Sequence, residues 1–273
     1  MAQTKATISR KVFQLKSKQY ITPHYLRITL NGDVSDFEHS TVGDNNKIFI
    51  PPKGVNEVQF PVLDPESKKM VYQNTDTAPF VRTYTHKGVN LAKNELYIDF
   101  VNHGDNGPAS SWAIHAELGD KLGVAMRTAP KELYPSDVDW FLLVGDATAI
   151  PVLGAILEDL SASSKGVCVI QVSSSEDIQE LPTKASIEFH WIVEENTQDE
   201  SRLVNQVKCI AIPSVSKFGY VACEFSAVKQ IRNYLRKELK WISNELYAYS
   251  YWKNGVAEDR SAADRQAEKK SIA

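Results

Sequence analysis

Between Phe80 and Trp112 the chain gathers residue types that suit a flat, phosphate-bearing ligand. Arg82 offers a planar guanidinium fork for a phosphate. Tyr84 can lie against a ring while its hydroxyl hydrogen-bonds, and Thr85 can donate to a ring nitrogen. Further along, Gly107, Ala109 and Ser110 leave backbone amides open at a helix start, where a pyrophosphate is favoured by unpaired N–H groups and the helix dipole. The same spacing, taken alone, also fits two barrel strands and an ordinary surface loop.

The elements that would hold these residues follow from periodicity. Phe80 to Lys87 alternates, with Arg82, Tyr84 and His86 on one face and Val81, Thr83 and Thr85 on the other. Lys87-Gly88 predicts a turn. Glu95 to Val101 alternates again, with Leu96, Ile98 and Phe100 together. Gly104 to Pro108 breaks the chain, and Ala109 to Ala116 is helical in pattern. Upstream, residues 9–20 and 24–30 predict an opening antiparallel pair. Residues 32–46 form a polar loop, Lys47 to Ile50 a short strand, and 53–79 a long surface excursion of the kind that is often functional or mobile. Lys121 to Met126 is the last strand before the pattern changes. Residues 1–130 therefore predict a small antiparallel β-barrel, and Pro130 and Pro135 mark 131–136 as a linker.

Three stretches carry a family resemblance: Arg82-Thr83-Tyr84-Thr85, Asp99-Phe100-Val101-Asn102-His103-Gly104, and Gly107-Pro108-Ala109-Ser110-Ser111-Trp112-Ala113. Their order and spacing resemble the flavin signature of the siderophore-interacting proteins, ferric-siderophore reductases of the ferredoxin-reductase-like superfamily. The similarity runs from about Val12 to about Gly255. It implies an FAD held by Arg82, Tyr84, Thr85, Asp99, His103, Gly107, Ala109, Ser110 and Ser111, with Trp252 closing over the flavin or its adenine. It also implies that Lys47, Arg127 and Lys253 line an open mouth beside the flavin and attract an anionic ferric siderophore.

Residues 137–273 read as an α/β domain. Trp140 to Val144 is a continuous apolar run, as expected of a central parallel strand. Helices are predicted at 150–160, 202–208 and 228–239, with strands at 167–172, 187–193, 220–222 and 246–252, giving a parallel nucleotide-binding sheet. A charged helical tail is expected over 256–273. Gly145, Asp146, Ala147 and Thr148 follow the first strand, where a glycine turn and helical amides can hold a diphosphate; an ordinary strand-to-helix turn has the same look. The resemblance places a nicotinamide nucleotide there, with Glu224 ending the strand that approaches it. Cys223 stands where the family often has glycine, which leaves a ferredoxin open as donor. Ser173 to Asp177 is acidic, and no base lies between Gln171 and Thr183. That favours NADH over NADPH, whose 2′-phosphate would call for arginine or lysine.

Composition narrows the function. Of the 273 residues, 42% are hydrophobic and 24% charged, ordinary for a soluble globular protein. A net charge of −3 argues against a nucleic-acid binder. No apolar run reaches the roughly 20 residues of a membrane span. MAQTKATISRK carries no apolar signal core, and the cysteines Cys168, Cys209 and Cys223 are odd in number and far apart, which predicts a reduced, cytoplasmic setting. All three cysteines sit in apolar runs and are expected to be buried. His24, His39, His86, His115 and His190 lack metal-ligand spacing and are expected at the surface or satisfied in the core. Arg232, Arg236 and Lys240 share a helix face and are expected to be solvated.

The expected activity is reduction of a ferric siderophore through FAD with NADH or a ferredoxin as donor, and it calls for no acid–base residue. Two rivals are a general NAD(P)H:flavin or ferredoxin-type reductase, which would prefer free flavin or a protein acceptor, and a siderophore carrier without turnover, which would purify colourless.

Overall fold

The computed structural model describes residues 7–194 and 201–256. The chain divides into two compact units at the Lys131–Glu132 bond. The tail expected to be helical falls, beyond Val256, outside the described residues.

The first unit contains β1 (Ile8–Thr22), β2 (Tyr25–Asn31), β3 (Asn45–Ile50), β4 (Val62–Leu63), β5 (Met70–Val71), β6 (Phe80–Asn90), β7 (Glu95–Val101), α1 (Pro108–His115) and β8 (Lys121–Arg127). Six of the strands close a barrel in the order β1-β2-β7-β6-β3-β8, with antiparallel neighbours. Alternation sends one face of each strand inward. Phe13, Leu26, Ile28, Ile48, Leu96, Ile98, Phe100, Leu122 and Val124 form the barrel core with α1 residues Ala109 and Ala113. Each large buried side chain contributes roughly 1.5–3 kcal/mol. The excursion after β3 is anchored where Phe60 meets Phe49 edge-on at 4.9 Å.

The turn expected at Lys87-Gly88 is instead a bulge inside β6. The register against β7 shifts between His86 and Gly88, and pairing resumes at Gly88↔Tyr97. The extra residue is absorbed by the bulge, so the strand runs on to Asn90. The reversal comes at Leu91–Lys93, where Asn90 Oδ1 accepts from the Lys93 N–H at 3.1 Å and Asn94 takes a left-handed conformation.

The second unit contains β9 (Trp140–Asp146), α2 (Ile150–Asp159), β10 (Lys165–Val172), β11 (Ser186–Val193), α3 (Ser201–Lys208), β12 (Lys217–Glu224), α4 (Phe225–Asn233) and β13 (Leu246–Trp252). The sheet is parallel in the order β11-β10-β9-β12-β13. α3 and α4 share a core with β9, β10 and β12, including Leu142, Val144, Val169, Leu203, Val207, Val221, Val228 and Ile231.

Two expectations are corrected here. Cys168 and Cys223 are buried, but Cys209 is exposed. α3 buries Leu203, Val204 and Val207, and Cys209, past its end, falls off that stripe. Arg232 is buried rather than solvated. It lies four residues after Val228 and three before Leu235, within the apolar stripe of α4 and the π-helical turn Tyr234–Glu238.

Candidate functional site

In the first unit β6 and β7 set the aromatic wall. Tyr84 packs on the barrel core with its ring 4.4 Å from that of Phe100 and tilted by 38°, and Phe100 lies 6.2 Å from Trp112 of α1. Arg82 shares the Tyr84 face of β6 and is half-buried, with Nη1 donating to the Val81 carbonyl at 2.7 Å. Thr85, on the other face of β6, is buried.

The loop after β7 is fastened to α1. The His103 N–H donates to Ser110 Oγ at 3.2 Å, and His115 Nε2 lies 2.7 Å from Asp105 Oδ1. Gly107 has φ of 139°, which a side chain would strain, and it opens α1 directly before Pro108. No side chain caps this helix start, so the amides of Ala109 and Ser110 have no side-chain acceptor. The Ser111 N–H closes on the Gly107 carbonyl at 3.1 Å. An uncapped helix start, an arginine and an aromatic wall on one barrel fit the phosphates and ring of FAD.

Asp99 is held by its neighbours on the barrel wall. Its carboxylate is 1% exposed and accepts from Arg27 Nε at 2.7 Å, Arg27 Nη2 at 2.9 Å and the Tyr25 hydroxyl at 3.2 Å. β2 and β7 pair Arg27 with Asp99 directly, so the side chain braces the barrel wall.

The barrel also gathers the first two expected bases. Lys47 pairs with Ala125 across β3 and β8, and Arg127 lies two residues further on the same face. Lys47 Nζ donates to Thr83 Oγ1, so this face is the one opposite Arg82 and Tyr84 on β6. Asp44, to which no local motif points, is 5% exposed at its side chain. Arg127 Nε lies 3.5 Å from its Oδ2 and Lys131 Nζ 2.5 Å from its Oδ1. Its backbone carbonyl accepts from the His86 N–H at 2.8 Å. His86 is buried, and burial pushes its pKa down to about 4. Nε2 lies 3.2 Å from Ser40 Oγ, and Nδ1 has no partner among the described residues, so His86 is only half satisfied.

In the second unit the strand order reverses direction at β9 and β12, the switch point where open α/β sheets place ligands. Asp146 ends β9 and Glu224 ends β12. Gly145 is required for packing, because a Cβ there would lie 2.5 Å from Ala149 Cβ and 3.0 Å from the Ala222 carbonyl oxygen. Asp146 Oδ1 accepts from the Thr148 N–H at 2.9 Å and the Thr148 hydroxyl at 2.5 Å, and Oδ2 accepts from Trp252 Nε1 at 2.7 Å. Burial pushes the Asp146 carboxyl up, against the hydrogen bonds that hold it down. Glu224 accepts from the Ser226 and Asn254 N–H groups. Ala147 lies in the turn between Asp146 and Thr148. Lys253 Nζ sits 4.9 Å from the centre of the Phe225 ring. A dinucleotide fits this edge at a cost, since its diphosphate would compete with Asp146 for the Thr148 amide. Beyond β10, Ser173 Oγ donates to the buried Asp177 at 3.3 Å, which leaves Glu176 as the exposed acid of that stretch.

Comparison with known proteins follows this division. Residues 14–130 match the siderophore-interacting FAD-binding domain, and residues 138–255 match the siderophore-interacting protein domain. The ferric vibriobactin reductase ViuB of Vibrio cholerae serotype O1 is 30% identical over 251 residues, covering 91% of each chain. The crystal structure of the siderophore-interacting protein SipS from Aeromonas hydrophila superposes with a TM-score of 0.80 at 26% identity, over 96% of this chain and 98% of that one. A siderophore utilization protein from T. fusca has the same fold, with a TM-score of 0.80 at 24% identity over 93% and 97% of the two chains.

Proposed function

The chain belongs to the siderophore-interacting protein family, and from that premise we propose that it is an FAD-dependent ferric-siderophore reductase of the cytoplasm that takes its electrons from NADH. The observation that carries the reading is that one barrel holds the uncapped start of α1, Arg82 and the Tyr84–Phe100–Trp112 wall, inside the stretch that matches the FAD-binding domain. FAD, when bound, accepts electrons as a pair and hands them on singly, which is what ferric iron requires.

The protein's part is to bind, orient and attract. Arg82 and the amides of Ala109 and Ser110 hold the phosphates, with Gly107 and Ser111 shaping the turn. Tyr84 flanks the ring, and Thr85 and His103 hydrogen-bond along its edge. Trp252 closes the second unit's edge over Asp146. Lys47, Arg127 and Lys253 draw in the anionic ferric chelate. Electron transfer to iron held in its own ligand shell needs no acid or base, and ferrous iron leaves because hard oxygen donors hold it less tightly.

The self-capped turn at Asp146 favours a second reading of the donor. If the nucleotide cannot displace the carboxylate, a ferredoxin supplies the electrons. One experiment tests both. The purified protein is yellow, anaerobic NADH bleaches it, and a ferric siderophore restores the colour while ferrous iron appears. Bleaching by reduced ferredoxin and not by NADH would replace the donor. A colourless protein, or one whose reduced form leaves ferric chelates untouched, would overturn the assignment.

A further inference from the structure

We propose that Asn46 and His86 build a water-binding site inside the barrel, next to Tyr84, in which an ordered water donates to His86 Nδ1 and accepts from Asn46 Nδ2. The site stands apart from the reductase reading and does not depend on it.

Strand register brings the two residues together. Asn46 of β3 faces Tyr84 of β6, and Ile48 faces Arg82. His86 lies two residues beyond Tyr84 on the same face of β6, which makes it a diagonal neighbour of Asn46. Diagonal neighbours stand about 7–8 Å apart, and their side chains reach into the space between. This face turns inward, because Ile48 and Ile50 share it on β3 and belong to the barrel core. Asn46 is 1% exposed and His86 0%.

Hydrogen bonding then fixes what the site can hold. The Ser40 hydroxyl donates to the Phe37 carbonyl at 2.6 Å, which uses its one hydrogen. Towards His86 Nε2, 3.2 Å away, Ser40 Oγ can therefore only accept, so Nε2 carries the ring proton. A neutral imidazole has one N–H, which leaves Nδ1 as a bare acceptor. Burial keeps the ring neutral, with its pKa lowered to about 4. Asn46 adds an acceptor at Oδ1 and two hydrogens at Nδ2.

None of these three atoms has a partner among the described residues, so the two side chains do not satisfy each other. Burying such groups unpaired forfeits their hydrogen bonds to solvent with nothing in return. A space lined by hydrocarbon stays dry, but one bounded by an acceptor and by donors holds water. Water fits because it donates and accepts at once and is no larger than the gap between two short side chains. The lone pair of Nδ1 needs a donor, the hydrogens of Nδ2 need an acceptor, and one molecule serves both. Asn46 Oδ1 accepts from a second water in the same space.

A crystal structure of the purified protein at near-atomic resolution tests the site. It should show a water about 2.7–3.2 Å from both His86 Nδ1 and Asn46 Nδ2. Nδ2 bonded straight to Nδ1, or no density between them, overturns the proposal. Thermal unfolding gives an independent measurement. Asn46→Leu and His86→Phe each strand the polar atoms of the other residue, and each should lower the melting temperature of the barrel by about 5–10 °C. The double variant removes both sides of the site together with its water, and should melt no lower than the weaker of the single variants. Losses that simply add would show that the two side chains share no site, and would overturn the proposal. The wild-type structure needs no variant, so it decides alone if a variant fails to fold.

Discussion

Acid should weaken the barrel through His86. The residue is 0% exposed, and burial holds its pKa near 4 against an ordinary 6.5; the nearby Asp44 only partly opposes this. The neutral ring is thus the form the fold accepts. Below pH 6.5 the unfolded chain takes up a proton that the folded chain refuses, so stability falls as pH falls. The loss grows until about pH 4, where the folded ring also protonates. Its full size is the difference between the two affinities, about 3 kcal/mol at 1.36 kcal/mol per pH unit. That is a large share of a domain stability of about 5–15 kcal/mol. Among the described residues the ring's hydrogen-bond partner is Ser40 Oγ, and Nδ1 has no acceptor for a second proton. Urea unfolding between pH 7 and pH 4, followed by release of flavin fluorescence, reports on the barrel. Wild type should lose about 3 kcal/mol more over that range than His86→Gln, which cannot titrate. Equal pH slopes for the two proteins would refute the reasoning and place the acid sensitivity in the carboxylates.

Other expected outcomes concern the two binding edges. Arg82→Ala should weaken FAD binding by roughly 1.5–3 kcal/mol, the worth of a charge-assisted phosphate contact, read as loss of bound flavin on gel filtration; full occupancy would remove Arg82 from the site. Stopped-flow reduction should be faster with NADH than with NADPH, since Glu176 and not a base stands exposed beyond β10; the reverse order would contradict this. Trp252→Phe removes the donor to Asp146 and should cost about 1 kcal/mol, or a few degrees in the melting temperature of the second unit. Replacing Lys47, Arg127 and Lys253 together by alanine should slow reduction of an anionic ferric chelate and blunt its salt dependence; wild-type kinetics would make them ordinary surface charges.

Much of the architecture was legible because it depends on local pattern. The period-two alternation of Glu95–Val101 and the unbroken apolar run Trp140–Val144 already separate a barrel strand from a central parallel strand, since each reflects how many faces the strand buries. The Gly107-Pro108 helix start was equally readable, because glycine and proline act on their own backbone. The tertiary structure decided what depends on pairing. A single bulge turned the expected reversal at Lys87-Gly88 into continuous strand. The Arg27–Asp99 pair arises across β2 and β7, residues far apart in the chain, and nothing local in Asp99 foretold that its carboxylate would be buried against an arginine. The helix face that Arg232 shares with Arg236 and Lys240 predicts solvent, but its place between Val228 and Leu235 buries it. Asn46 and His86 become neighbours only through the register of β3 on β6, which no stretch of sequence contains by itself, because hydrogen bonding between distant strands sets which side chains become neighbours.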